Sequence, residues 1–256
     1  MLDTEHIFPL RNIPEADVPV VLCFGHAGSY SGIFRDWMNN TEEFAFVPVE
    51  IPRRLGDLRR IAERVADRAS ELLWGREYCV FGHSMGAALA FETECILESR
   101  YGLEAENVFV CSRHSPDVDK DEFFDSSMSD ERLILELKRL GGTDEEVFSQ
   151  KEYRETIIPF IRNDYRIHES FQWKGERLRC SLEADLGMDD VSVSISDISG
   201  WRNMTEGEYK RKLFNGGHFF LYDDDEYFEY LKKRCCQIFG ARTGQICLDS
   251  VLSEKI

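Results

Sequence analysis

The chain has 256 residues, 43% of them hydrophobic and 31% charged, with a formal net charge of −17. That length supports one sizeable core with room for an insertion, not two independent domains. The acidic balance excludes the basic surface that nucleic acid requires. No apolar run approaches the roughly 20 residues of a membrane span, and the first residues lack the basic and apolar regions of a secretory signal. The expectation is a cytoplasmic monomer with no membrane contact.

The eight cysteines agree with a reducing compartment. Cys23, Cys79 and Cys111 sit in apolar runs, where a thiol behaves as a small hydrophobe. Cys235 and Cys236 are adjacent and no C-x-x-C pair occurs, so neither a zinc site nor a dithiol redox site is indicated. Six arginines (Arg53, Arg54, Arg59, Arg60, Arg64 and Arg68) cluster near Asp57, Glu63 and Asp67. This pattern is expected to form a solvated helix face in preference to a docking patch.

In chain order, residues 18–24 (VPVVLCF) form a continuous apolar run, as a strand buried on both faces should. Residues 46–51, 78–81 and 108–111 are further strands. Residues 57–73 place Leu58, Ile61, Val65, Ala69 and Leu72 on one helical face. Residues 85–100 form a second helix, whose small initial residues permit close packing on a sheet. Repeated strand–helix–strand order predicts a mostly parallel sheet covered on both faces. From 116 to 173 the strand rhythm stops. Ser129 caps a helix over 130–140, the Gly141-Gly142 pair breaks it, and a second helix covers 151–170. This is predicted as a helical insertion capping the ligand crevice. Strands resume at 178–186 and 209–214. A Ser194/Asp197 capping box opens a short helix ending near 204, and a helix over 224–239 closes the fold. The predicted organisation is a core of 1–115 and 174–239, a helical lid of 116–173 and an unassigned tail of 240–256.

Gly82-His83-Ser84-Met85-Gly86 matches G-x-S-x-G directly between a strand and a helix, the nucleophile elbow of an α/β-hydrolase fold. A stray Gly-Ser turn would not stand at such a junction. The tight turn lifts the Ser84 hydroxyl above the sheet, where the Met85 N–H faces a developing oxyanion. A second donor is expected from the loop after the first strand, Gly25-His26-Ala27-Gly28-Ser29, with the Ala27 N–H as the choice. Among six histidines, His218 alone is late in the chain, beyond a strand and on a flexible Gly216-Gly217 loop. It is the predicted base. The fold order puts the acid between serine and histidine, with Asp185, Asp189, Asp190 and Asp197 as candidates. Asp185 falls within a strand and Asp197 serves a helix cap, which leaves Asp189 and Asp190 unseparated.

Several segments together resemble the type II thioesterases, stand-alone editing hydrolases of nonribosomal peptide and polyketide synthases, and the related medium-chain acyl-carrier-protein thioesterases of fatty acid synthesis. They are His26-Ala27-Gly28 with Phe34 and Trp37, the elbow with Glu92, Leu140-Gly141-Gly142, and Pro159 through Asp164. Gly187-Met188-Asp189-Asp190 leading to Trp201, and Gly216-Gly217-His218-Phe219-Phe220-Leu221, complete the set. The resemblance implies Asp190 as the acid, three positions after Gly187 and eleven before Trp201. It departs from the family pattern in having Gly25 for Pro, Ser29 for Gly, Arg53 for the Gly of Pro-Gly-Arg, and Val191 for Pro. It further implies hydrolysis of acyl groups from the phosphopantetheine arm of an acyl- or peptidyl-carrier protein, through an acyl-enzyme on Ser84 and without cofactor or metal. Phe148, Ile157, Ile158 and Phe160 are candidates for an acyl channel, although a helix stripe more often forms lid core. A carboxylesterase of small oxygen esters, or a binding module that retains a triad, are the competing readings.

Overall fold

The computed structural model describes residues 7–9, 14–15, 17–39, 41, 43–118, 125–141 and 150–243. Gly142, Phe148 and residues 244–256 of the tail therefore lie outside the described residues. The strands are β1 Val20–Phe24, β2 Ala45–Pro48, β3 Tyr78–His83, β4 Asn107–Cys111, β5 Ser181–Gly187 and β6 Tyr209–Phe214. The helices are α1 Leu58–Leu73, α2 Met85–Ile96, α3 Asp130–Leu140, α4 Lys151–Glu169, α5 Ile195–Ser199 and α6 Glu226–Thr243.

Each predicted strand is present with shifted boundaries, and the run expected over 46–51 forms a strand only over Ala45–Pro48. β1 starts at Val20 because Pro19 has no N–H to give to a ladder. Leu178 forms only an isolated bridge to Thr205, and the β5 ladder starts at Ser181. Asp57 caps α1, its carboxylate accepting the Arg60 N–H at 2.9 Å. The helix predicted over 85–100 runs as α2 to Ile96 and then loosens into one π-helical turn, Leu97–Tyr101.

All six strands are parallel, in the order β2-β1-β3-β4-β5-β6. Strand alternation divides the core into two layers. Val20, Leu22, Val80, Val108 and Leu182 face α1 and α2, while Val21, Cys23, Phe81 and Phe109 face Trp37, Tyr227 and Leu231 of the α6 side. The chain steps from β1 to β2 on one side and to β3 on the other. At such a switch point the loops diverge, opening a crevice at the carboxyl ends of the strands. The loop after β1 and the elbow after β3 flank that point.

Between β4 and β5 the chain inserts α3 and α4. Leu133, Ile134, Ile158, Ile161 and Tyr165 form their own small apolar cluster, separate from the two sheet layers. Among the described residues of α3 and α4, Ile167 near the end of α4 enters the main core, and the Ser170 hydroxyl there accepts the Leu58 N–H that opens α1. A hairpin with its own core should open as its own unit. Leu133→Ala removes a fully buried side chain and should cost about 2–5 kcal/mol locally. Hydrogen exchange should then quicken in α3 and the first half of α4 while the strands keep their protection. Equal loss of protection in the sheet would show that the hairpin does not open independently.

Candidate active site

Ser84 joins β3 to α2 with φ 56° and ψ −117°, a left-handed conformation costly for a non-glycine residue. Its N–H is held by the Cys111 carbonyl at 2.9 Å. The flanking glycines are required by crowding. A Cβ on Gly82 would stand 2.2 Å from the Gly86 carbonyl oxygen, and one on Gly86 would stand 2.3 Å from that of Phe24. The N-terminus of α2 is thereby pressed onto β1 and β3. The Ala87 N–H donates to the Ser84 carbonyl at 3.0 Å, while the Met85 N–H, first of the helix, has no acceptor within it.

His218 lies in the loop after β6 and is 4% exposed. Its Nδ1 stands 2.8 Å from Asp190 Oδ2. The other Asp190 oxygen accepts the Ser192 N–H at 2.9 Å, the Ser192 hydroxyl at 2.8 Å and the Val193 N–H at 3.1 Å. Burial pushes the Asp190 carboxyl up, but the His218 hydrogen bond and charge, with the Ser192 bonds, hold it below its ordinary value. With Nδ1–H donating to this carboxylate, Nε2 is the nitrogen that remains for a serine hydroxyl. Asp189 points its side chain into solvent, and its N–H binds the Gly216 carbonyl at 2.9 Å. Asp185 is buried in β5 against the Tyr227 hydroxyl, and Asp197 completes the capping box with Ser194.

His83 sits under the elbow, where its Nε2–H donates to the His218 carbonyl at 2.9 Å. Burial first, then the charges of His218 and His26, hold its pKa well below the ordinary range, which fixes it as a neutral donor. His26 packs against the rings of His83, Phe219 and Tyr222. Burial, with His218 and Arg53 nearby, lowers its pKa to about 3, so it is a poor proton acceptor. In the turn 26–29, the Gly28 N–H donates to Asp164 Oδ2 at 2.8 Å and the Ser29 N–H to the His26 carbonyl at 3.1 Å. Among the described residues the Ala27 N–H has no partner.

Residues 19–235 match the family model described as the thioesterase domain. The chain belongs to the thioesterase family. It is 32% identical over 215 residues to the thioesterase PikA5 of Streptomyces venezuelae, covering 79% of this chain and 75% of that one. The structure resembles the RedJ thioesterase from the prodiginine pathway of Streptomyces coelicolor, with a TM-score of 0.76 and 30% identity over 86% of this chain and 93% of that one. It also resembles the type II thioesterase BorB from the borrelidin biosynthetic cluster, with a TM-score of 0.71 and 30% identity over 85% and 92%.

Two departures of this thioesterase from the family pattern prove to be one. The Ser29 hydroxyl donates to the His26 carbonyl at 2.7 Å, and a Cβ on residue 25 would stand 2.2 Å from that hydroxyl. Gly25 and Ser29 are therefore a matched pair that closes the loop by a side-chain bond. Arg53 departs from the solvated helix face predicted for the arginine cluster. It precedes α1 on a short 3₁₀ turn, Arg53–Leu55, which Gly56 ends with φ +67°. Its side chain is 10% exposed and reaches inward to Asp164. Arg59 likewise pairs with Glu92 and Glu176.

The proposed channel residues are divided. Ile157 and Ile158 pack within the α3/α4 cluster, while Phe160 stacks on Tyr30 at 4.8 Å between ring centres. Phe148 lies outside the described residues. Among the described residues, Glu94, Glu98 and Cys180 bring potential metal ligands within 4.8 Å of one another. Their carboxylates already accept the Ala105, Arg179 and Cys180 amides and the Tyr78 hydroxyl. The described cysteines are all unbridged, and among the described residues no helix is long and apolar enough to cross a membrane. His83, Asp164 and Arg53 had no site role legible in sequence, since each acts through a partner distant in the chain, and Ser192, two positions from Asp190, sits in a loop without periodicity.

Two outcomes follow from this geometry. Asp190→Asn should lower kcat by about 10⁴-fold, the scale of neutralising a triad acid, whereas Asp189→Asn should leave it nearly unchanged. The opposite ranking would reassign the acid. For His26, the folded pKa of about 3 lies below the ordinary 6.5. The unfolded chain then takes up a proton first, so this contribution to stability is complete above 6.5 and lost as pH falls toward 3. His26→Asn should flatten the dependence of the urea midpoint on pH across that window.

Proposed function

We propose that this thioesterase hydrolyses acyl groups from the phosphopantetheine arm of an acyl- or peptidyl-carrier protein, serving peptide, polyketide or fatty acid synthesis. The observation that carries the reading is the His218–Asp190 pair at 2.8 Å beside a strained serine elbow, within a chain that matches the thioesterase family over residues 19–235. Similarity to PikA5 and to type II thioesterase BorB supports the carrier-bound substrate.

In this mechanism His218 Nε2 takes the Ser84 proton as the hydroxyl oxygen attacks the thioester carbonyl. The oxyanion is stabilised by the Ala27 and Met85 N–H groups. Collapse breaks the carbon–sulfur bond, and the proton held on His218 goes to the departing thiolate. A thiolate leaves readily, so positioning and oxyanion stabilisation matter more than acid assistance. Water then loses a proton to His218, attacks the acyl-enzyme, and releases the carboxylic acid as the proton returns to Ser84. Asp190 holds Nδ1–H throughout and stabilises the imidazolium. The α3/α4 hairpin serves as the lid of this site, with residues 1–115 and 174–239 as its core.

The test compares one acyl chain on a carrier-protein thioester and on a nitrophenyl ester. The carrier thioester should give the higher kcat/KM, and a fluorophosphonate should label wild type on Ser84 but leave Ser84→Ala unlabelled. Faster turnover of the oxygen ester would favour the carboxylesterase reading. Labelling of Ser84→Ala would remove Ser84 as the nucleophile.

A further inference from the structure

The loop that follows β1 is fastened from a direction the reaction mechanism does not require. Asp164 on α4 is fully buried. One oxygen accepts the Gly28 N–H at 2.8 Å and the other accepts Arg53 Nε at 2.7 Å. The same guanidinium donates to the Ser29 carbonyl and, at 3.3 Å, to Glu50 Oε1, while Glu50 Oε2 accepts the Ser31 N–H at 3.0 Å. Arg53 also lies over the Phe160 ring of α4, 4.5 Å from its centre. Gly28 has φ +87°, and a Cβ there would stand 2.9 Å from Ile161 Cγ1 of α4. The helix therefore presses on the loop through Ile161 and grips it through Asp164, one helical turn apart.

We propose that Asp164 is a positioning residue for the oxyanion loop. By engaging the Gly28 N–H and Arg53 together, it leaves the Ala27 N–H as the free donor and makes the loop's catalytic shape depend on the seating of α4. A short turn such as 26–29 can present adjacent amides in alternative directions, and an acceptor fixed on Gly28 selects one of them. Because the acceptor belongs to the inserted hairpin, displacement of α4 removes the clamp. The hole then forms only when the helix is seated, which couples closure over an acyl arm to the chemical step. This rests on the Ser84 acyl-enzyme reading.

The experiment uses the full chain and a small fluorophosphonate, whose phosphoryl oxygen needs the same donors as the thioester oxyanion. Asp164→Ala should slow both Ser84 labelling and kcat by about 10²-fold, the scale of losing one oxyanion donor, with KM little changed. Asp164→Asn keeps an oxygen acceptor for Gly28 and should recover most of the loss. A purely structural role would predict no such rescue, and a lowered thermal midpoint with KM and kcat moving together. Should the alanine variant fail to fold, Asp164→Leu combined with Arg53→Met removes the acceptor without stranding a buried cation and should show the same slow labelling. Wild-type labelling rates in either folded acceptor-free variant would overturn the proposal. Normal labelling of wild type without carrier-thioester hydrolysis would instead refute the substrate reading and leave this inference standing.

Discussion

The close approach of α2 to β1 and β3 governs this molecule. Gly82 and Gly86 have no side chains, so the helix N-terminus can sit directly on neighbouring backbone. Ser84 is then forced to a positive φ that only surrounding contacts can maintain. The cost of that conformation, about 1–3 kcal/mol, is offset by the fully buried β3 and α2 on either side. Rigidity follows from the same contact. A serine on a flexible turn would sample many orientations, whereas this one is held in place by the sheet.

The loops carrying His218 and Asp190 are referenced to that elbow through backbone atoms. His83, the residue before the serine, donates to the carbonyl of His218 itself, so His218 is anchored to the strand that leads into Ser84. The loop carrying Asp190 is tied to the loop carrying His218 by the Met188 and Asp189 amides, which donate to the Phe214 and Gly216 carbonyls. Burial keeps His83 and His26 uncharged beside His218, which spares the site a cluster of cations around that imidazole. The opposing sign is supplied by Asp190, kept ionised by four donors.

The loop after β1 shows how one site tolerates sequence change. Gly25 and Ser29 depart from the family pattern together, because the hydroxyl of one fills the space that a side chain on the other would need. Arg53 replaces a glycine and supplies a guanidinium that bonds the Ser29 carbonyl, Glu50 and Asp164. The added freedom of Gly25 in place of proline is here offset by side-chain hydrogen bonds from Ser29 and Arg53.

Much of the architecture was present in the sequence alone. Continuous apolar runs specified buried parallel strands, 3.6-residue periodicity specified α1, and local capping chemistry fixed the starts of α1, α3 and α5 at Asp57, Ser129 and Ser194. These signals are local, since each depends on residues within a few positions. The elbow was legible for the same reason: strand, G-x-S-x-G and helix are contiguous. Asp190 was separable from Asp189 only through resemblance, because two adjacent acids in a loop have no periodicity to distinguish them. Tertiary structure alone put Asp189 in solvent and Asp190 on His218. It alone turned Arg53 inward to meet Asp164, 111 positions away, and enclosed Ile158 in the hairpin's own core. Such pairings depend on how loops from different strand ends converge over the sheet, and no pattern along the chain encodes that distance.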